Sequence, residues 1–475
     1  KVHNKDKTAV SKGRIRLMDR TIAAIATAPG EAGIGIVRIS GDESINILKR
    51  VFRPKKGIDV EDMPSRTVVY GHAVDGNGGV LDEVLAIIMR RPYSYTTEDV
   101  VELHCHGGIV PVRRIMQEVL KNGAEMAEPG EFTKRAFLNG RIDLAQAEAV
   151  IDVITSKTET GLNAALNQME GELSGEVRRV MDKLLAMLAH IEASIDFPEH
   201  DVEEITVGNI NRMLLEAKAS VEALLESFDE GKLVRDGLKT AIIGRPNVGK
   251  SSLLNVLLRE NRAIVTEVPG TTRDIIEEYL NIGGLLIKLV DTAGIRDTED
   301  IVERIGVERT KEAIKDSDLV ILVIDASVEL MAEDIEIIDM IEDKRVIAAL
   351  NKIDLGRTHN RERLNKLFGE ENIIEMSVRN GVGIDRLEER IKALVFQGKL
   401  SINKNSMVTS IRHRNLLDRT LDNIEKAITS IEDDIPVDLV SVDIREAWSC
   451  LGAITGDTVE EDIVNEIFSK FCIGK

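Results

Sequence analysis

The sequence predicts a multidomain protein of mixed α/β and all-α architecture: an N-terminal α/β domain, a helical domain in two pieces, and a second α/β domain inserted between those pieces. Three observations predict it. From Thr21 onward, short apolar runs alternate with turn residues, as strands do. From Leu144 to Ile195, and again beyond Ile411, apolar side chains recur at steps of three and four, the period of a helix. Between these helical stretches stands GRPNVGKSS, Gly244 to Ser252, a Gly-rich loop after one apolar run and before a helix-compatible one.

A chain of 475 residues is too long for one ordinary core, and its length implies about three domains. With 43% apolar and 30% charged residues it reads as a soluble globular protein, and the 3% of aromatics means cores of Leu, Ile, Val and Ala. The net charge of −20 argues against a general polyanion binder, so any RNA contact needs a local basic patch. Three distant cysteines offer no disulfide framework and point to a reducing, cytoplasmic setting. There is no 18-residue apolar run, so no membrane span is expected. The stretch Lys1 to Leu17 is basic without a hydrophobic segment and is no secretory signal. We set it aside as a disordered or added leader, with Met18 as an alternative start.

In the N-terminal domain, taken as residues 18–135, the runs Ile22 to Ala26 and Ile34 to Ile39 flank a Pro-Gly turn and read as strands. Ser44 to Val51 reads as a short helix, Thr67 to Ala73 and Leu85 to Met89 as strands. ELHCHGG, Glu102 to Gly108, ends an apolar stretch and leads into the helix-patterned Val112 to Lys121. His104, Cys105 and His106 invite a metal reading. Successive residues of a strand point to opposite faces, however, so only the two histidines can share an ion, and no partner C-x-x-C or H-x-x-x-H exists. The Gly-Gly marks instead a tight turn into a helix whose N-terminus can hold an anion.

Helical pattern then runs from Leu144 to Ile195, with Gly161, Gly171 and Gly175 as candidate breaks, and from Ile210 to Phe228. It returns from Ile411 to Ile431 and from Ile444 to Phe468. The economical reading is one helical domain, residues 136–236 plus 396–475, interrupted by an insert at 237–395. The other reading is two independent helical pieces.

Within the insert, the strand-like Leu238 to Ile243 enters the loop and a helix leaves it, the context a G-x-x-x-x-G-K-[ST] pattern requires. Gly244 and Gly249 let backbone N–H groups wrap phosphates, Lys250 supplies charge to β and γ oxygens, and Ser251 can ligate Mg²⁺. DTAG, Asp291 to Gly294, follows Leu285 to Val290. Its aspartate suits the Mg²⁺ shell and the Gly294 N–H can sense a γ-phosphate. NKID, Asn351 to Asp354, follows Val346 to Leu350. The Asp354 carboxylate matches the ring N–H and exocyclic amine of guanine, a pair that adenine lacks. Ser377 and Val378, after Ile373 to Met376, complete a base-contacting loop. Together these define a GTPase domain of Ras-like P-loop type.

In Ras-type enzymes a glutamine after D-x-x-G orients the attacking water. Here that residue is Ile295, which cannot hydrogen-bond water. The acidic stretch from Arg296 to Gly306 carries Glu299, Glu303 and two aspartates, and spacing alone does not choose among them. TEVPGTTRD, Thr266 to Asp274, can supply the threonine that completes the Mg²⁺ shell. The Asn247 amide oxygen suits a monovalent cation, which can stand in for an arginine finger.

With these residues quoted, the chain resembles the MnmE (TrmE) family of tRNA modification GTPases from about Met18 onward. The resemblance is carried by GIVRISG, ELHCHGG, PGEFTKRAFLNGRIDLAQAEAV (Pro129 to Val150), GRPNVGKSS, PGTTRD, DTAGIR with VERIG, and the terminal CIGK. It implies a folate-binding and dimerising N-terminal domain, a helical domain and an inserted G domain. It implies GTP contacts from Asn247, Val248, Gly249, Lys250, Ser251 and Ser252. Further contacts come from Thr266, Glu267, Val268, Pro269, Gly270, Thr271 and Thr272, from Asp291, Thr292, Ala293 and Gly294, and from Asn351, Lys352, Asp354, Ser377, Val378 and Arg379. Mg²⁺ falls to Ser251 and Thr272, and K⁺ to Asn247, Thr266, Val268 and Thr271, with hydrolysis stimulated when G domains pair.

The resemblance also makes Glu303 the catalytic carboxylate. It implies that Arg38, Glu102, Arg141 (lysine in some relatives) and Lys475 hold a reduced folate, methylene- or formyl-tetrahydrofolate. The family works as a homodimer with the flavoprotein GidA, which carries FAD. Together they add an aminomethyl-type group to carbon 5 of the wobble uridine of certain tRNAs. Cys472 in CIGK is either a free structural thiol or a reactive one; it is fourth from the end, but Gly474 and Lys475 fit a prenylation box poorly. A rival class is a regulatory ribosome-assembly or membrane-switch GTPase without base chemistry. Such a protein would more often carry a KH-like module with a G-x-x-G loop in a basic setting, and the sequence shows none.

Overall fold

The computed structural model describes residues 20–55, 57–196, 203–261, 278–290, 311–356, 360–396 and 407–475. The N-terminal region is a seven-stranded sheet: β1 (Ile22–Ile25), β2 (Ala32–Ser40), β3 (Phe52–Pro54), β4 (Val68–Val74), β5 (Val80–Met89), β6 (Val100–Gly107) and β7 (Glu125–Met126), in the order β3-β4-β5-β6-β2-β1-β7. All pairings are antiparallel except β1 with β7. Helices α1 (Ser44–Val51) and α2 (Ile109–Lys121) cover one face, burying Ile47, Leu48, Ile115 and Val119 against Val37, Ala86 and Leu103. The other face is open over β4 and β5, as antiparallel sheets allow, where Val68, Tyr70 and Leu85 meet solvent, and is closed over β1, where Ile22 and Ala24 pack on Phe132. The helix α3 (Glu131–Leu138) then leads out of this region.

Helices form the next layer: α4 (Leu144–Thr155), α5 (Glu159–Glu170), α6 (Glu172–Asp196), α7 (Glu203–Glu226) and α8 (Phe228–Asp236) precede the second sheet, and further helices follow it. Asp143 caps α4 through a capping box, accepting from the Gln146 N–H while Gln146 accepts from the Asp143 N–H. Of the three glycines expected as breaks, only Gly171 ends a helix, in the left-handed conformation at φ 95°. Gly161 and Gly175 sit inside α5 and α6, since a glycine that need not leave helical φ merely weakens a helix. The break before α5 is made instead by Thr158, whose hydroxyl accepts from the Gly161 N–H. The stretch read as one helix from Ile210 to Phe228 is likewise two, parted at Ser227.

The second sheet comprises β8 (Leu238–Ile243), β9 (Glu278–Ile282), β10 (Leu285–Val290), β11 (Leu319–Asp325), β12 (Arg345–Asn351) and β13 (Ile373–Glu375). Between them lie α9 (Lys250–Asn261), α10 (Ala332–Asp339) and α11 (Asn360–Phe368), and α12 (Ile384–Phe396) follows. Strand order is β13-β12-β11-β8-β10-β9, parallel except for the β9–β10 hairpin. Separate cores on its two faces, one around Leu253, Val323 and Leu387 and one around Ile243, Leu322 and Leu364, explain why its central strands read as unbroken apolar runs.

The chain closes with α13 (Ile411–Glu432), α14 (Val437–Thr455) and α15 (Glu461–Ser469). The expected helix from Ile444 to Phe468 is divided at Gly456, which caps α14 at φ 93°. Leu184, Leu214 and Val221, from before the sheet, share one core with Leu417, Ile424, Ile444 and Leu451, from after it. The helical region is therefore a single packed unit with the second α/β domain inserted into it. Its two connections meet where the Val408 N–H donates to Ser227 Oγ at 3.0 Å and the Val408 carbonyl crosses Gly231.

That crossing yields a stability prediction. Alanine at position 231 would gain about 1 kcal/mol of helix propensity, but its Cβ would lie 2.3 Å from the Val408 carbonyl oxygen. Backbone cannot yield as a side chain can, so the clash wins. Gly231→Ala is expected to destabilise the protein by roughly 1–3 kcal/mol, read as a lower midpoint in denaturant unfolding.

Candidate functional site

The carboxyl ends of β8, β11, β12 and β13 lie side by side, and the sheet's first strand in sequence, β8, has neighbours on both flanks. A crevice outside the carboxyl ends at such a switch point is where open α/β sheets bind ligands. The loop from Gly244 to Gly249 leaves β8 and opens α9 at Lys250. Its glycines are demanded by close approach: a Cβ on Gly244 would meet the Val323 carbonyl at 2.3 Å, and one on Gly249 the Asn351 amide at 2.3 Å. Lys250 Nζ donates to the Gly244 and Arg245 carbonyls at 2.7 and 2.9 Å, and burial pushes its pKa down. Acceptors already converge on this ammonium, in the position where anionic oxygens would compete for it. Ser251 and Ser252 are exposed on the first turn of α9.

The NKID stretch ties the crevice together. Asn351, buried, donates through Nδ2 to the Val248 carbonyl at 2.8 Å and accepts at Oδ1 from the Val378 N–H at 3.0 Å. Lys352, left-handed at φ 65°, donates to the Asn247 carbonyl and to Asp325 Oδ2, both at 2.7 Å. Asn247 is itself left-handed at φ 62°. The exposed Asp354 carboxylate accepts from Ser377 Oγ at 2.6 Å and is thereby oriented. Arg379 is exposed on the same loop. The structure thus brings Asn247, Val248, Gly249, Lys250, Asn351, Lys352, Asp354, Ser377 and Val378 to one place. Thr266, Glu267, Val268, Pro269, Gly270, Thr271, Thr272, Asp291, Thr292, Ala293, Gly294 and Glu303 lie outside the described residues.

Sequence reasoning passed over two residues here. Asp325 ends the buried strand β11, where an aspartate after an apolar run was the available signal. Asp334, buried at the start of α10, lies 3.3 Å from Arg245 of the phosphate loop.

In the N-terminal region, Arg38 on β2 and Glu102 on β6 are direct cross-strand partners, and Arg38 Nε donates to Glu102 Oε1 at 2.8 Å. Glu102 Oε2 faces His104 Nε2 at 3.0 Å. Burial works to raise the Glu102 pKa, but the bonds from His104 and Arg38 outweigh it and hold the carboxyl below its usual range. The Arg38 guanidinium lies 5.7 Å over the Phe132 ring and donates from Nη1 to the Gly474 carbonyl at 3.3 Å. Burial, with Arg38 nearby, lowers the Lys475 pKa. Gly474, at φ 97°, approaches the Ile25 carbonyl so closely that a Cβ would sit 2.6 Å from it. The terminal residues are thereby laid against the first strands, with Cys472 exposed beside them.

Arg141 is placed differently. It stacks on Tyr95 at 4.8 Å and donates to the Tyr95 carbonyl, lining with Arg66, Tyr93 and Asn139 a concavity of about 530 Å³. Among the described residues no hydrogen bond or ion pair joins Arg141 to Arg38 or Glu102. His104 and His106 take different partners, His104 Nε2 facing Glu102 and His106 Nδ1 pairing with Asp82 at 2.7 Å.

A phosphate loop opening a helix, with N-K-x-D and a serine loop at adjacent strand ends, defines a P-loop GTPase domain. The family model described as the MnmE helical domain matches residues 144–472, and that of the GTP-binding protein TrmE N-terminus matches residues 21–141. The tRNA modification GTPase MnmE of Alkaliphilus oremlandii (strain OhILAs) is 53% identical over 459 residues, 96% of this chain and 100% of that protein. The protein of the same name from Clostridioides difficile (strain 630) is 49% identical over 458 residues, again 96% and 100%. A solved G domain of the T. maritima FeoB iron transporter is 30% identical, covering 33% of this chain and 96% of its own at a TM-score of 0.25. The chain belongs to the MnmE family of tRNA modification GTPases. Among the described residues no helix is long and apolar enough to cross a membrane.

Proposed function

We propose that this chain is the GTP-hydrolysing component of a tRNA-modifying system. With the flavoprotein GidA, which brings FAD, it adds an aminomethyl-type group to carbon 5 of the wobble uridine of certain tRNAs. The observation that carries this reading is one chain holding both a guanine-suited crevice and a terminal segment laid onto the Arg38–Glu102 pair.

In the crevice, Asp354 reads the guanine edge, Asn351 and Lys352 hold the loops that carry it, and Lys250 receives the phosphates. Ser251, exposed at the start of α9, fits a Mg²⁺ ligand, with Thr272 completing that shell. Asn247 fits a K⁺ ligand because its left-handed backbone leaves the side chain exposed on the phosphate loop, with Thr266, Val268 and Thr271 supplying the other oxygens. Bound there, the cation supplies positive charge to the hydrolytic transition state, and pairing of two G domains stimulates turnover. Glu303 orients the attacking water. The open face of the N-terminal sheet, with Val68, Tyr70 and Leu85 exposed in a row, supports a homodimer through that domain.

In the N-terminal domain Glu102 accepts from the pterin amine and ring N–H of a reduced folate. Arg38 or Arg141 pairs with a carboxylate of its tail, Arg141 from its own concavity beside Tyr95, and Lys475 and Cys472 stand close to Arg38 at the end of the chain. Each charged bond contributes about 1.5–3 kcal/mol when desolvated. Glu102→Ala is therefore expected to weaken reduced-folate binding roughly tenfold to a hundredfold while leaving GTP binding unchanged. Equal folate affinity in that variant would reduce the Arg38–Glu102 pair to a cross-strand ion pair.

The function is tested by reconstitution: this chain, GidA, FAD, GTP, Mg²⁺, K⁺, methylene-tetrahydrofolate, an amine donor and unmodified tRNA, with nucleosides read by mass spectrometry. The expected product is a uridine carrying the added aminomethyl mass. Steady GTP turnover without it would favour a switch GTPase.

A further inference from the structure

We infer that Asp325 is a positioning residue for the nucleotide site: by clamping Lys352 it holds the base-reading loop onto the phosphate loop and so slows the release of bound nucleotide. The inference rests on the reading of the crevice given above. Asp325 ends β11 directly opposite Asn351 of β12, and the Ala326 N–H donates to the Asn351 carbonyl at 2.7 Å. Both carboxylate oxygens are engaged. Oδ1 accepts from the Ser327 N–H at 3.0 Å and from Ser327 Oγ at 2.6 Å, while Oδ2 accepts from Lys352 Nζ at 2.7 Å. The carboxylate therefore has one orientation, and it aims the ammonium.

What the ammonium is aimed at gives the clamp its consequence. Lys352 Nζ spends a second hydrogen bond on the Asn247 carbonyl in the middle of the phosphate loop. Both Lys352 and Asn247 are left-handed, a conformation that asparagine tolerates but that a lysine holds only where its surroundings over-determine it. The ammonium bridge, together with the Asn351 amide on the Val248 carbonyl, is the direct tie between the two loops. Without the Asp325 charge, Lys352 keeps no ion-pair partner among the described residues and its long side chain regains freedom. The Asn247 carbonyl then loses its donor. The base-reading carboxylate of Asp354 is untouched, because it is held separately by Ser377.

The test is the dissociation rate of a fluorescent N-methylanthraniloyl GDP from the full-length protein, in sodium buffer without potassium. A lost charge-assisted hydrogen bond predicts dissociation about tenfold to a hundredfold faster in Asp325→Ala. Asp325→Asn, which keeps the shape and the Ser327 contacts, is expected to follow it, and Asp325→Glu to restore part of the effect. Because Asp325 acts through Lys352, the Asp325→Ala/Lys352→Ala double variant should release nucleotide no faster than Lys352→Ala alone. Additive effects, or variants that melt earlier but release nucleotide at the wild-type rate, would overturn the inference. If the wild-type protein itself failed to hold the guanine nucleotide, the reading of the crevice would fall instead.

Discussion

Asp354→Asn is expected to weaken GTP binding by about a hundredfold or more and to improve binding of xanthosine triphosphate. The carboxylate accepts from two guanine donors at once, and each charged bond contributes roughly 1.5–3 kcal/mol when water is excluded. An amide offers one acceptor and one donor, so guanine loses a partner while the second carbonyl of xanthine gains one. The exchange is clean because Asp354 is already oriented by Ser377 Oγ at 2.6 Å, a bond that an amide oxygen can also accept. Competition titrations of the two triphosphates measure it. Unchanged GTP affinity would remove Asp354 from base recognition.

Glu303→Ala is expected to leave GTP binding nearly intact while slowing turnover by about 10² or more, the range for a positioned group acting on the attacking water. Ile295 cannot take that role; the acidic stretch after it carries Glu299, Glu303 and two aspartates, and it is the resemblance to the MnmE family that singles out Glu303. Glu303 lies outside the described residues, so kinetics must place it. Single-turnover hydrolysis and equilibrium nucleotide binding, measured on the same variant, separate the outcomes. A loss shared equally between them would make Glu303 a structural residue.

Legibility in the sequence followed the range of the interactions. The central strands of the inserted sheet, such as Leu319–Asp325, were plain because both faces are buried and nearly every residue must be apolar. Helix ends that rest on a single residue were less visible. Thr158, Ser227 and Gly456 part helices that the apolar period alone runs together. The strands Phe52–Pro54 and Glu125–Met126 are too short to show any period.

Long-range contacts left no local trace. Arg38 meets the Gly474 carbonyl across 436 residues, and only the fold brings them together. The same limit hid Asp325, whose partner Lys352 belongs to the next strand end. The loops of the GTPase crevice were legible because their residues must sit at fixed spacing on consecutive strand–loop units. Arg141, placed with Arg38 and Glu102 by resemblance, stands instead on Tyr95 in its own concavity, a distinction that no spacing could have shown.

The central claim is that one chain carries a GTP site and a separate reduced-folate site. Calorimetric titration of the full-length wild-type protein with 5-formyl-tetrahydrofolate, with and without saturating GDP, tests it most directly. The account predicts saturable folate binding that persists at the same affinity when GDP is bound and weakens in Glu102→Ala. No folate binding by a protein that binds GDP normally would contradict it.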